Sequence, residues 1–187
     1  MSRLIDRVGP LRLTLDRIRF QSLVRSIISQ QISGSAARSI RRRLHRTLAP
    51  RRVTAGNLAG LNAGQLRAAG LSAQKSSYLL DLSQKVLDGQ VRLRQLARLP
   101  DEAVIEELVQ VKGIGVWTAQ MFLIFSLGRM DVFPHDDLGI RSALRNLYRL
   151  KELPDKETSH RIARPWRPFA TMASWYCWRS LDLDRRT

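Results

Sequence analysis

Two stretches of the chain carry residue types that could do chemistry. Residues 131–140 read DVFPHDDLGI and set Asp136 and Asp137 side by side ahead of an apolar-periodic segment. A carboxylate fixed there can stabilise positive charge developing on a substrate, or orient and deprotonate an attacking water. The same pair can simply start a helix, because Asp is a favoured N-cap and acids are welcome in a first turn. Residue physics alone favours capping. Residues 109–119, VQVKGIGVWTA, place Gly113 and Gly115 in a tight turn between two helical segments. Glycines there permit positive φ, so that backbone N–H groups face outward together at a helix N-terminus, where the dipole favours an anion. A nucleic-acid phosphate suits such a cradle. The plainer reading is a corner in which glycines only relieve crowding. The apolar residues around the turn, Leu108, Val111, Ile114 and Ala119, favour a DNA-binding hairpin between two helices.

Other reactive side chains form no constellation. His45, His135 and His160 lack metal-ligand spacing, and His135 reads as a turn residue. Cys177 is the single cysteine, which excludes an internal disulfide framework, a Cys-rich zinc site and a four-cysteine iron–sulfur cluster.

The elements that must position these residues read as helices. Phe20, Leu23, Val24, Ile27 and Ile28 fall on one helical stripe, and Ala36, Ala37, Ile40, Leu44 and Leu48 form a second that Pro50 ends. Asn62 and Ser72 look like N-caps of the next two helices, closed by Gly70 and Gly89. Asp101 reads as the cap of a helix running to about Val109. Later helices are expected over 117–127, 138–148 and 156–181. The 117–127 segment is apolar nearly all round and therefore central. With no alternating strand, the fold class is all-α.

Lys plus Arg number 32 against 16 acids, for a net charge of +16 and a pI near 11.5. Such an excess favours a polyanionic partner, nucleic acid first. Only five of those bases are Lys; a run such as RSIRRRLHRTLAPRR (residues 38–52) could grip phosphates or be a solvated helix face. No secretory signal or membrane-spanning length is visible, so an intracellular, cytoplasmic protein without a membrane partner is expected.

Residues 108–144, LVQVKGIGVWTAQMFLIFSLGRMDVFPHDDLGIRSAL, resemble the helix-hairpin-helix (HhH-GPD) DNA glycosylases, in particular the 3-methyladenine DNA glycosylase II (AlkA-type) branch. FQSLVRSIISQQISGSAA, AGLSAQKSSYLLDL and WRPFATMASWYCWR extend the resemblance over most of the chain in the family's order. The resemblance implies a two-lobed helical fold with an active-site cleft between the lobes. One lobe would cover residues 17–128 and end with the hairpin. The other would combine residues 1–16 with 129–187 and carry the acid. The family's catalytic acid falls on Asp137, leaving Asp136 as the helix N-cap. It would face the cationic sugar formed as an alkylated purine (3-methyladenine or 7-methylguanine type) leaves an extrahelical nucleotide. Relatives that also cut the backbone carry a Lys where this chain has Trp117, so a monofunctional enzyme without lyase activity is implied.

Carried over residue by residue, the base pocket comprises Trp117, Met121, Leu138 and Phe169, less aromatic than the familiar pattern. Gln31, flanked by Gln30 and Ile32, falls on the intercalating loop; the residues themselves equally allow a polar helix end with Gln30 and Gln31 hydrogen-bonded internally. Lys112, Gly113, Ile114, Gly115, Val116 and Thr118 fall on the DNA-contacting hairpin. The carbonyls of Val109, Val111 and Ile114 match a site for a structural Na+ or K+. The implied partner is double-stranded DNA with damaged bases, bound by a monomer with no iron–sulfur cluster. Two alternatives remain: a non-catalytic hairpin DNA-binding protein, and a glycosylase of the same fold for deaminated or mismatched bases.

Overall fold

A computed structural model describes residues 1–184, and no β-strand occurs among them. Eleven α-helices are described: α1 (Ser2–Val8), α2 (Arg19–Ser29), α3 (Gly34–Leu48), α4 (Ala55–Ala59), α5 (Ala63–Ala68), α6 (Ala73–Leu87), α7 (Asp101–Val109), α8 (Val116–Phe122), α9 (Leu138–Leu147), α10 (Lys156–Ala163) and α11 (Ala170–Asp184). Short 3₁₀ turns cover Leu96–Arg98 and Arg164–Trp166, and a π-helical turn covers Leu123–Leu127.

The local start signals explain most of these boundaries. Asn62 and Gln65 form a reciprocal capping box: the Gln65 N–H donates to Asn62 Oδ1 at 2.9 Å and the Asn62 N–H to Gln65 Oε1 at 3.0 Å. Ser33, Thr54, Ser72 and Asp155 cap α3, α4, α6 and α10 in the simpler one-bond manner. Helix α7 departs from the expectation. Pro100 occupies its N-cap, and Asp101 lies one residue inside with Glu102, where both face the positive end of the dipole.

The expected helix over 156–181 is two helices. It breaks between Ala163 and Ala170, around Pro165 and Pro168, which lack the N–H that a helix interior needs. The 117–127 segment is α-helical only to Phe122 before widening into the π-turn. Helices α1 and α4 were absent from the expected set because each is shorter than the window in which periodicity becomes visible.

The chain forms two compact units, Asp16–Phe122 and, together, Met1–Leu15 with the chain from Leu123 onward. In the first unit α6 packs against α2, α4 and α5, and α8 against α2 and α7. Fully buried Leu23, Ile27, Leu44, Leu58, Leu79 and Leu108 make its core. Each such side chain contributes roughly 1.5–3 kcal/mol through removal from water. Lys75 fastens the end of α2 by donating from Nζ to the carbonyls of Ile28 and Gln30, each at 2.7 Å. These are carbonyls that the helix itself leaves unsatisfied.

In the second unit α11 packs on α1 and α9. Its core centres on Ile140, Leu144, Ala163, Trp166 and Cys177. The loop ahead of the acid pair is fastened to the start of α11. Thr171 Oγ1 donates to the Arg129 carbonyl (2.7 Å) and accepts from the Val132 N–H (3.0 Å). Asp131 accepts from the Ala170 N–H at 3.3 Å and from Arg167 Nε at 2.8 Å. Tyr176 reaches the N-terminal segment through its hydroxyl, which donates to the Gly9 carbonyl at 3.0 Å.

Candidate active site

The hairpin lies wholly in the Asp16–Phe122 unit, between α7 and α8. Its two glycines do different work. Gly113 has φ +80°, and a Cβ on it would sit 2.1 Å from the Tyr78 ring, so both backbone conformation and space demand glycine. Gly115 is not in the left-handed region, and a Cβ there would meet nothing within 4 Å. The sequence expectation of positive φ thus holds at one glycine of the pair. At Gly115 the missing side chain leaves an exposed, uncovered backbone.

Several hairpin groups are already engaged. The Lys112 N–H donates to Asp81 Oδ2 at 2.8 Å, and the Ile114 N–H to the Val111 carbonyl at 3.0 Å. Burial opposes ionisation of Asp81, but hydrogen bonds from Lys85 and from the Lys112 amide outweigh it and hold this carboxyl below the usual carboxylate range. Gln30 Nε2 donates to the Gly113 carbonyl at 2.8 Å, joining the end of α2 to the turn. Gln30 is therefore engaged within the protein, as the reading of a polar helix end bonded internally expects of it. Gln31 differs: it is exposed at φ +56°, a conformation unusual for a residue with a Cβ, and exposed Ile32 follows it. The loop thus presents Gln31 and Ile32 outward while Gln30 turns in. Thr118 is buried, which removes its side chain from the surface, and Ile114 is buried as well. Val116 and Lys112 remain exposed.

Of the carbonyls expected to hold a cation, that of Val111 accepts the Ile114 N–H. A carbonyl oxygen has two lone pairs, so this bond is compatible with a cation at the second. Among the described residues no group of three or more His, Cys, Asp or Glu is placed to hold a metal ion.

The acid pair lies in the other unit, and here the structure reverses one assignment. Asp137, not Asp136, is the N-cap of α9: its Oδ1 accepts the Ile140 N–H at 2.8 Å. Asp136 is a surface residue with 70% of its side chain exposed, and its Oδ2 lies 3.2 Å from His135 Nε2. His135 is the more enclosed partner. Burial depresses its basicity, with the nearby Asp136 acting in the opposite sense and His160 and Lys156 reinforcing the fall. Capping and catalysis were set against each other as readings of the sequence; on this residue they are compatible. The cap fixes one carboxylate oxygen and so fixes where the charge sits.

A second donor completes that seat. Trp178 Nε1 donates to the same Oδ1 at 2.9 Å. The indole is stacked on Phe125, with ring centroids 5.8 Å apart and planes inclined by 29°. Nothing in the sequence singled Trp178 out, since its spacing with Trp175 reads as core. The one available signal is its partner glycine: a Cβ on Gly139 would stand 2.9 Å from Asp137 Oδ1 and 3.2 Å from Trp178 Cδ1.

The expected pocket side chains are exposed for their size: Trp117 43%, Phe169 55% and Leu138 64%, with Met121 half-buried. Trp117 and Met121 belong to the hairpin's unit, Leu138 and Phe169 to the acid's. Cys177 is fully buried, and burial pushes its thiol up to about 12, so it is no nucleophile.

Comparison with known proteins gives one consistent picture. Residues 24–168 match the HhH-GPD superfamily base excision DNA repair protein family. DNA-3-methyladenine glycosylase 1 of Schizosaccharomyces pombe is 36% identical over 97% of this chain and 82% of its own length. The structure of that species' 3-methyladenine DNA glycosylase in complex with abasic DNA superposes with a TM-score of 0.82 at 35% identity, covering 95% of this chain and 89% of the other. A DNA-3-methyladenine glycosidase from Bacillus halodurans gives a TM-score of 0.87 at 33% identity, over 96% and 82% of the two chains.

Proposed function

The chain belongs to the HhH-GPD superfamily of base excision DNA repair proteins, and from that premise we propose that it is a monofunctional DNA glycosylase that releases alkylated purines of the 3-methyladenine type. The observation that carries this reading is similarity over nearly the whole chain to proteins named DNA-3-methyladenine glycosylase. The bond broken is the N-glycosidic bond; the products are the free base and an abasic site.

The chemistry asks little acid assistance from the protein, because a purine methylated at N3 or N7 already carries positive charge and leaves as a neutral base. What remains is a cationic, oxocarbenium-like sugar. Asp137 supplies the single fixed anion for that charge and accepts the proton of the water that adds to C1′. Its N-cap position supports this assignment, as its Oδ1 is held by two donors and cannot swing freely. The base must first leave the duplex, at a cost of about a few kcal/mol that is smaller for a damaged pair. Exposed Gln31 is the residue suited to fill the gap, with Ile32 beside it. Trp117 in one unit and Phe169 in the other each offer an exposed aromatic face suited to stacking on an extrahelical base, and half-buried Met121 and exposed Leu138 add apolar surface to their respective units. Gly113, Gly115 and Val116 provide the phosphate cradle. A monovalent cation at the hairpin would be held by the carbonyls of Val109, Val111 and Ile114 and would add positive charge facing a phosphate.

The net charge of +16 suits double-stranded DNA as the partner, bound by a single copy. No described helix is long and apolar enough to cross a membrane, and repair of DNA places the enzyme inside the cell. Trp117 stands at the position of the Schiff-base lysine of lyase-active relatives, and an indole cannot form that adduct. Incubation with methylated DNA, with chromatographic identification of what is freed, tests the reading. Release of 3-methyladenine with an intact strand supports it. Strand cleavage without added base, or no released base, contradicts it.

A further inference from the structure

We propose that Trp178 is a positioning residue of this enzyme, its indole N–H holding the Asp137 carboxylate in the orientation that meets the cationic sugar. The inference rests on the reading of Asp137 as the acid and adds to it a residue from a different helix, 41 positions along the chain.

Four observations, all within one compact unit, carry it. An indole has a single hydrogen-bond donor, and a half-buried indole could turn it to solvent; here Nε1 points at Asp137 Oδ1, 2.9 Å away. The ring is kept from turning by its stack on Phe125 and by packing against the Ile140–Cys177 core cluster on one side and the Leu4–Tyr176 cluster on the other. Helix α11, which bears Trp178, is pinned at its start to the loop that leads to Asp137, through Asp131 and Thr171. Finally, α9 carries glycine beside this bond: a Cβ on Gly139 would stand 2.9 Å from the carboxylate oxygen, too close without a shift, and in tight contact with the indole at 3.2 Å. Gly139 needs no special backbone angle, so its missing side chain leaves room for the capped carboxylate and the indole together.

The arrangement adds to the cap a hold from a second helix. One N–H from Ile140 binds Oδ1 from within α9, and a second donor, arriving from α11, binds the same oxygen from a different direction. A charge-assisted bond of this kind is also stronger than a neutral one.

The experiment uses two duplexes, one carrying a cationic pyrrolidine in place of the damaged nucleotide and one carrying the neutral tetrahydrofuran abasic analogue. A well-placed carboxylate favours the first, so the ratio of their dissociation constants reads carboxylate placement alone. Trp178→Phe retains a stacking ring and deletes the donor. We expect it to reduce the pyrrolidine preference and the single-turnover release of 3-methyladenine by roughly tenfold. That loss is smaller than the about hundredfold that a 1 Å misplacement of a reacting group costs. Affinity for the tetrahydrofuran duplex should stay unchanged. An unchanged preference in Trp178→Phe overturns the proposal, and so does an equal loss of affinity for both duplexes, which would make Trp178 merely structural. Asp137→Asn separates the two levels of the argument. If it keeps the preference and the activity, the acid assignment itself fails; if it loses them while Trp178→Phe does not, only the role of Trp178 fails.

Discussion

The hairpin and the acid turn are built by opposite means. At the hairpin the groups suited to meet a phosphate are backbone, and the chain's task is to keep side chains away: Gly113 leaves space for Tyr78, and Gly115 leaves the surface bare. At the acid turn the working group is a side chain, and the task is to hold it: Asp137 Oδ1 receives one donor from its own helix and another from α11. Glycine recurs in both, as a vacancy for solvent-side contact in one and as room beside the capping carboxylate in the other. Binding by backbone tolerates any residue that fits; catalysis by a carboxylate demands one particular residue and a fixed orientation. Substitutions should therefore separate the regions, the hairpin losing stability or affinity and the acid turn losing rate.

The largest effect is expected from Asp137→Ala, which removes the charge and the cap together. Base release should fall by about 10²–10³-fold or more, and thermal unfolding should register a loss of about 1 kcal/mol for the missing cap. Gly113→Ala comes next and moves the other quantity. A side chain at φ +80° against the Tyr78 ring should destabilise the Asp16–Phe122 unit by roughly 1–3 kcal/mol. Gly115→Ala, with open space around it, should leave the melting temperature unchanged and alter only DNA affinity. Equal destabilisation by the two glycine variants would erase the distinction drawn between them. Gln30→Ala, removing the tie to the Gly113 carbonyl, should cost about 0.5–1.5 kcal/mol in stability without touching the rate of base release at saturating enzyme.

The smallest effect concerns pH. Asp81 has a carboxyl held below its unfolded value by Lys85 and the Lys112 amide against the opposing effect of burial. A depressed folded value means that its contribution is present at neutral pH and lost as pH falls through the acid range. Asp81→Asn should accordingly flatten the acid limb of the stability profile in chemical denaturation, leaving stability near neutral pH only modestly lower. A wild-type limb in the mutant would remove Asp81 from the account.

The sequence revealed these regions unequally, for a physical reason. Caps such as Asn62 and Ser72 are legible because donor and acceptor lie three residues apart. Gly113 was legible because a turn between two helical stripes has few other solutions. The cap of α9 was misassigned by one residue because adjacent acids satisfy the same rule, and only the backbone decides which enters the helix. The break between α10 and α11 is plain in Pro165 and Pro168 once it is sought, yet the apolar residues on either side keep helical spacing through it. Gln30 was open to an internal bond or to a place beside the wedge, and Trp178 read only as core. Their partners lie 83 and 41 residues away, and nothing local to either side chain names the acceptor.

The central claim is that a lone, fixed negative charge at residue 137 drives base release. Asn is as good an N-cap as Asp and can present the same oxygen to the Ile140 and Trp178 donors, so Asp137→Asn changes charge while preserving the seat. Single-turnover release of 3-methyladenine from DNA saturated with each protein is the direct measurement. The account predicts that the variant binds DNA and melts like wild type but releases base no faster than the uncatalysed background. Release by Asp137→Asn at the wild-type rate would contradict it.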